Sequence, residues 1–332
     1  MALLQKKKKH RACFIVKDHV IRLVTAAEGE LSAVNTWGER YLPPGVIDDG
    51  RITDHETFAR ILEECVDTWN LKRKPFVFNV PDAYVAVRQV EVPASLEPDE
   101  IVGHIYLELG ERIQLPFDDP VIDYHLLEEG TETKQVLVVA SPRDVINAYV
   151  EHFEDAGLKP KAADAAPLSF YRLLSSLDRL PGRGHLMLIH HDTTSVHISI
   201  FHRHIPVFIR QFQPSNEAGH WRVVHDEDGT ERLELLGDET GADVQARETA
   251  EEALRIMNFY RYSFQQGEAG VEYVFVAGDH PGLAAFIAQL KQASSLPVEE
   301  MTAGAGAFTV DEELPSRFVE AAGLIIKQRL HK

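Results

Sequence analysis

The strongest constraint on this chain is an order of elements that occurs twice. Residues 12–16 (ACFIV) and 20–26 (VIRLVTA) are short apolar runs joined by the polar turn Lys17-Asp18-His19, and a third run lies near 31–37. Runs of this length between turn residues predict strands. Asp54 then stands as an N-cap before Phe58, Ile61, Leu62, Cys65, Val66 and Trp69, whose spacing predicts a helix. Residues 75–80 (PFVFNV) predict a buried strand ended by Pro81. The order β-β-β-α-β returns about 170 residues later, with strands at 186–190, 195–201 and 205–212, a long helix from about Asp243 to Gln265 and a strand at 272–276. Two copies so far apart are not a short-period repeat. They predict a duplicated α/β fold of two lobes, with a cleft between them of the kind that holds small ligands.

An insertion is expected at 82–162, with strands at 84–92, 121–127 and 135–140 and helices at 97–112 and 142–157. The first helix carries Ile101, Ile105, Leu109 and Ile113 on one face, and Gly157 closes the second in the position after a C-cap. The expected division is therefore 12–81 and 163–184 for the first lobe, 82–162 for the insertion, 185–314 for the second lobe with an acidic excursion at 213–245, and a C-terminal segment at 315–330 whose helix is begun by Pro315.

Charge narrows the function. Among 332 residues, 52 Asp and Glu face 34 Lys and Arg, a net charge of −18. So acidic a surface disfavours general nucleic-acid binding and direct adhesion to anionic lipid. Half of that net charge, −9, falls within 213–252, a composition that buries itself poorly. The basic start, Lys6 to Lys9 with Arg11, is read as a solvated tail; it is followed by no hydrophobic segment of the kind a signal peptide carries. Two cysteines, Cys13 and Cys65, make no disulfide framework, and the apolar runs are too short to span a bilayer. A soluble protein of a reducing compartment is expected.

Other constellations point to ordinary structure. His202 and His204 share a strand face, as metal ligands would, but His190 and His191 point to opposite faces and no cysteine completes a set; these and His197 are read as surface or hairpin histidines, with no metal site. Asp226-Glu227-Asp228-Gly229 reads as a charged hairpin turn, and Gly304 and Gly306 as part of a linker before the last helix. Nucleophile-elbow, zinc-protease and Walker patterns are missing from the sequence.

Four stretches carry a family likeness. They are 77–93 (VFNVPDAYVAVRQVEVP), Glu111 to Phe117 followed by Asp123-Tyr124, 136–164 (VLVVASPRDVINAYVEHFEDAGLKPKAAD), and Ala321-Ala322-Gly323-Leu324. In this order they resemble the type IV pilus assembly protein PilM family, relatives of the cell-division protein FtsA within the actin-like superfamily. The resemblance implies a duplicated actin-like (ribonuclease H-like) fold with an inserted α/β subdomain in the first lobe. It implies a cytoplasmic protein at the inner face of the membrane, serving a type IV pilus or competence pilus and gripping the N-terminal tail of the bitopic membrane protein PilN.

The superfamily holds ATP and Mg between two hairpin loops and an adenosine loop, which need glycine for close backbone approach and an acid for the metal's water shell. The matching residues are Lys17, Asp18 and His19 in the first loop, Asp192, Thr193, Thr194 and Ser195 in the second, and Gly278 in the third. Ile15 stands where the first loop has its Asp and Lys17 where it has Gly; His190 and Asp192 make the same exchanges in the second. The expectation is a protein with no cofactor and no catalysis; the alternative is an ATP-binding ATPase or small-molecule kinase. By the same match the partner groove is placed at Arg88, Val90, Leu115, Pro116 and Phe117. Self-association is left open.

Overall fold

The computed structural model describes residues 10–27, 31–182, 184–214, 220–225, 231–236, 239–302 and 315–327. Lys6 to Lys9 of the expected basic tail, the Asp226–Gly229 turn and the Gly304–Gly306 linker lie outside them, whereas Arg11 belongs to the first strand and not to a tail.

The first lobe begins with β1 (His10–Lys17), β2 (Val20–Ala27) and β3 (Val34–Tyr41), an antiparallel meander. Short pieces β4 (Ile47–Asp48) and β5 (Arg51–Ile52) lead to α1 (His55–Thr68). The Asp54 carboxylate caps this helix by accepting from the Thr57 amide at 3.0 Å, as expected. β6 (Pro75–Asn79) then pairs parallel with β1.

Next comes β7 (Ala86–Pro93), α2 (Pro98–Glu108), β8 (Pro120–Glu129) and β9 (Thr133–Pro142). The three strands form their own sheet in the order β7-β9-β8, with a small core of Val92, Ile101, Ile105, Ile113, Val136 and Val138. Helix α2 stops four residues before the expected Arg112, because the chain turns through Leu109 in extended backbone and Gly110 at φ +82°.

The expected insertion does not pack as one unit. Helix α3 (Arg143–Asp155) buries Val145, Tyr149 and Phe153 with Phe58, Phe76 and Phe78 of the first lobe, the Phe153 ring lying 4.9 Å from Phe76. Strand β10 (Lys159–Asp164), which the periodicity did not reveal, pairs parallel with β6. The separate sheet thus ends with β9, and the rest of the expected 82–162 span belongs by packing to the first lobe.

Helix α4 (Ala166–Ser176) follows, and then the second lobe with β11 (His185–His191), β12 (Val196–His202) and β13 (Ile205–Phe212). Part of the acidic excursion lies among the described residues. It contains the hairpin β14 (His220–His225) and β15 (Glu231–Leu236), and its end belongs to α5 (Glu239–Phe259). The hairpin reaches the first lobe, where Glu231 accepts from the Tyr41 amide at 3.0 Å and pairs with Arg40. Helix α5 gives way to a π-helical turn at Tyr260–Phe264, in which Tyr260 is buried and Phe264 is exposed. β16 (Val271–Gly278), α6 (Leu283–Ala293), β17 (Val298–Glu300) and α7 (Val319–Ile325) complete the chain. The expected terminal helix is shorter: Ser316–Phe318 form a 3-10 turn before it.

The duplication is visible in the sheets. Their orders, β10-β6-β1-β2-β3 and β17-β16-β11-β12-β13, correspond strand for strand. In β1, Cys13 and Ile15 face inward to α4 and α7, while Ala12, Phe14 and Val16 face α1 and α3. In β11, Leu186 and Leu188 likewise face α4 and α7, and Met187 and Ile189 face α5 and α6. Strands buried on both faces read as unbroken apolar runs, which is why they were legible. The two central helices touch closely: a Cβ on Gly323 would lie 2.0 Å from the Ser169 carbonyl oxygen.

Candidate functional site

The β1–β2 turn and the β11–β12 turn face each other across the gap between the lobes. Around them gather Asp82, just after β6, Asp279, just after β16, and Glu320 on α7. Lys17 Nζ lies 2.6 Å from Asp82 Oδ2, 3.0 Å from Glu320 Oε2 and 3.5 Å from Asp192 Oδ2. The ammonium of Lys17, expected in the first loop, is thus surrounded by three carboxylates. Beside it, Asp279 Oδ2 lies 2.6 Å from both His19 Nε2 and Arg22 Nη2, binding the first lobe's hairpin to the end of β16. Arg22 also donates from Nε to Glu39 at 3.1 Å, and Arg317 donates to the same carboxylate at 3.0 Å. Asn79 donates to Glu320 Oε1 at 2.5 Å.

These groups are almost fully buried, which sets their protonation. Burial acts to lower the Lys17 pKa, but Asp192, Asp82 and Glu320 together outweigh it and keep the ammonium charged. Burial acts to raise Asp82, yet Lys17, His197 and His190 bring it down to about 2. Asp279 is held well below the usual carboxylate range, because His19 and Arg22 outweigh its burial. Glu320 goes the other way: burial pushes it up to about 7 against the pull of Lys17. Burial also raises Asp192 and lowers His190 to about 3, leaving that imidazole neutral.

Lys17, Asp18, His19, Asp192, Thr194 and Ser195 do line one cleft, together with Asp82 and His197. Its free volume is about 30 Å³, room for a water molecule and far below the several hundred cubic ångströms of a nucleotide pocket. The residues present therefore do not fit ATP and Mg in this arrangement. Thr193 is buried, and its hydroxyl has no hydrogen-bond partner. Gly278 serves close packing: its φ is +143°, and a Cβ there would lie 2.0 Å from the His191 carbonyl oxygen.

The histidines are only in part the surface groups expected: His204 is exposed at the turn between β12 and β13. His190 and His191 are buried, the latter stacked on His280 at 4.2 Å. His202 stacks on His185 at 4.1 Å, whereas His204 pairs with the Tyr171 hydroxyl at 2.7 Å, so the two do not converge on an ion.

Of the expected partner groove, Arg88 and Val90 line a depression of about 200 Å³ with Glu108, Arg112 and Gln114. Arg88 donates to the Gln114 carbonyl at 3.1 Å. Leu115 and Phe117 are half-buried and Pro116 exposed, and none of the three lines that depression. Strand β7 is an edge: among the described residues its far side pairs with no strand, although Val85 and Ile209 of β13 line a common small cavity. A wider cavity, about 520 Å³, lies between β3, α1 and Phe318; its Arg40 pairs with both Glu64 and Glu231.

Residue-level reading missed Asp82, Asp279, Arg22 and Glu320 as members of the cleft. Asp279-His280 inside the shortened adenosine loop was the one available signal.

A sequence profile described as type IV pilus assembly protein PilM matches residues 16–220. The chain belongs to that family. Its structure is similar to the PilM–PilN type IV pilus biogenesis complex, at 19% identity over 97% of this chain and 99% of that chain, with a TM-score of 0.73. It is also similar to a Bacteroides thetaiotaomicron protein with an actin-like ATPase fold (10% identity, 99% and 100% covered, TM-score 0.51) and to the ethanolamine utilization protein EutJ of Carboxydothermus hydrogenoformans (10%, 96% and 89%, 0.50). At these identities the likeness establishes the fold, which is actin-like. No curated protein sequence matches the chain. The PilM match spans both hairpin turns of this cleft.

Proposed function

We propose that this PilM-family chain is a non-hydrolysing component of type IV pilus assembly that holds a PilN-type membrane protein by the N-terminal tail of the latter. The observation that carries the reading is the contrast between a cleft occupied by the chain's own Lys17 and an edge strand whose Arg88 and Val90 line an open depression. An extended peptide adds to such an edge through main-chain hydrogen bonds, with pockets along the strand selecting side chains. Working at the cytoplasmic face of the cell membrane suits this reading: no helix among the described residues is long and apolar enough to cross a bilayer, and the partner supplies the attachment. The chain's acidity favours a partner tail carrying basic residues.

Titration with a PilN-type N-terminal peptide gives saturable binding in this reading, and labelled ATP with Mg gives none. Micromolar ATP affinity, or a peptide that binds equally well after Arg88→Glu and Phe117→Ala, overturns it.

A further inference from the structure

The Lys17 ammonium sits inside a ligand set assembled from four separate elements. Asp82, His190 and Glu320 offer one ligand atom each, all within 4.8 Å of one another, and so do Asp82, Asp192 and His197. Mixed imidazole and carboxylate donors at that spacing suit a borderline divalent cation such as zinc or manganese. Two further observations point to a cation rather than to a mere acidic cluster. His190 Nδ1, on a ring only 6% exposed, has no hydrogen-bond partner and lies 3.8 Å from Glu320 Oε2. Asp82 Oδ1 is likewise buried without a donor. Lysine matches the arrangement in a particular way: an ammonium has three N–H donors, and three carboxylates stand around this one.

We infer that Lys17 is a tethered cation, seated in a latent divalent-metal site and holding the first hairpin, the base of the insertion, the second hairpin and α7 together without any ligand. The inference rests on the nucleotide-free reading of the cleft, but not on the identity of the partner. It explains why one position departs from glycine so drastically: a side chain that reaches the carboxylates makes a bound cation unnecessary, and lysine rather than arginine gives a compact point charge on a flexible stem.

The test uses the full chain with zinc and manganese alone as probes. Wild type takes up no stoichiometric metal at this cluster. Lys17→Met, which keeps volume and removes charge, loses thermal stability and regains most of it with one equivalent of metal. Adding His190→Gln to Lys17→Met lowers that affinity at least tenfold. Should Lys17→Met not fold, the charge-balanced Lys17→Met/Glu320→Gln chain keeps the test open, through the Asp82, Asp192 and His197 donors. Metal uptake by wild type equal to that of the variants, or uptake indifferent to His190, overturns the inference. Peptide binding measured on the same proteins separates the two ideas: variants that bind peptide but gain no metal sink the tethered cation alone, whereas a wild type that ignores the peptide sinks the partner reading.

Discussion

The interlobe cleft and the β7 edge are both rich in charge, and they use it differently. In the cleft, Lys17, Arg22, Asp82 and Asp279 are almost fully buried and pair with one another across element boundaries. At β7, Arg88, Gln89 and Glu91 are exposed. Charge spent inside the protein fixes a conformation, while charge left in solvent remains free for a partner. The difference teaches that charges buried against one another lock elements together, whereas an exposed edge keeps the charge that the proposed partner binding would use.

Four measurements sharpen or break this comparison. The largest effect is expected for Asp279→Ala, which strands the Arg22 guanidinium, 1% exposed, beside Glu39 alone. Breaking a buried pair in this way costs about 3–5 kcal/mol, and a denaturant-midpoint shift worth under ~1 kcal/mol would mean the cleft is wet. The apolar double variant Arg22→Met/Asp279→Leu should cost less than the single change, because no charge is stranded.

Next in size is the response to acid. His190 is neutral when folded, its pKa lowered to about 3 by burial from an ordinary 6.5, so between those values the unfolded chain binds the extra proton. Stability therefore falls as pH drops below 6.5, at up to about 1.4 kcal/mol per pH unit for one such group. Buried His191 and His197 act in the same direction. Asp82 and Asp279, held down by their cations, lend stability that is present above the ordinary carboxylate value and lost as pH falls further. Glu320, raised to about 7 by burial, opposes this between 4.5 and 7. Thermal melts from pH 7 to 5 should show a net decline that is shallower in His190→Gln; a flat profile in wild type would contradict the buried histidines.

A smaller effect belongs to the edge. Arg88→Glu should weaken the PilN-type peptide about tenfold, worth ~1.4 kcal/mol, while shifting the unfolding midpoint by less than ~0.5 kcal/mol. Phe117→Ala should weaken binding less, because Phe117 does not line the depression around Arg88. Calorimetric titration of both variants decides whether the groove lies there. The smallest change is expected for Leu107→Gln on α2, where the side chain is 80% exposed: folding stability should stay within ~0.5 kcal/mol of wild type.

How legible was all this? The meanders, Asp54 as a helix cap and the turn at Gly157 were readable, because each depends on a few neighbouring residues. Helix α4 was not. It lies between two sheets and buries Ala166, Pro167, Ser169, Phe170, Leu173 and Leu174, and with Pro167 near its start and only 11 residues it follows directly on β10 with no cap side chain to mark it. The helix at 142–157 was legible but was counted with the insertion, whereas its Phe153 packs in the core of the first lobe, since spacing shows that a face is buried and not against what. The exchanges of glycine for Lys17 and Asp192 were plain in the sequence as departures from the family pattern, but not as partners of one another.

Local pattern by itself thus determined the duplicated β-β-β-α-β order and the acidic character of the chain; the departure of Lys17 and Asp192 from glycine came from the family resemblance. Only the tertiary structure decided that Lys17 would meet Asp82, Asp192 and Glu320, and that His19 and Arg22 would meet Asp279. The reason is physical: hydrophobic periodicity acts over a few residues and is written wherever a strand or helix is written. A buried ion pair, by contrast, exists only once packing of both sheets on α4 and α7 has brought distant hairpins together and removed the water that would otherwise screen them.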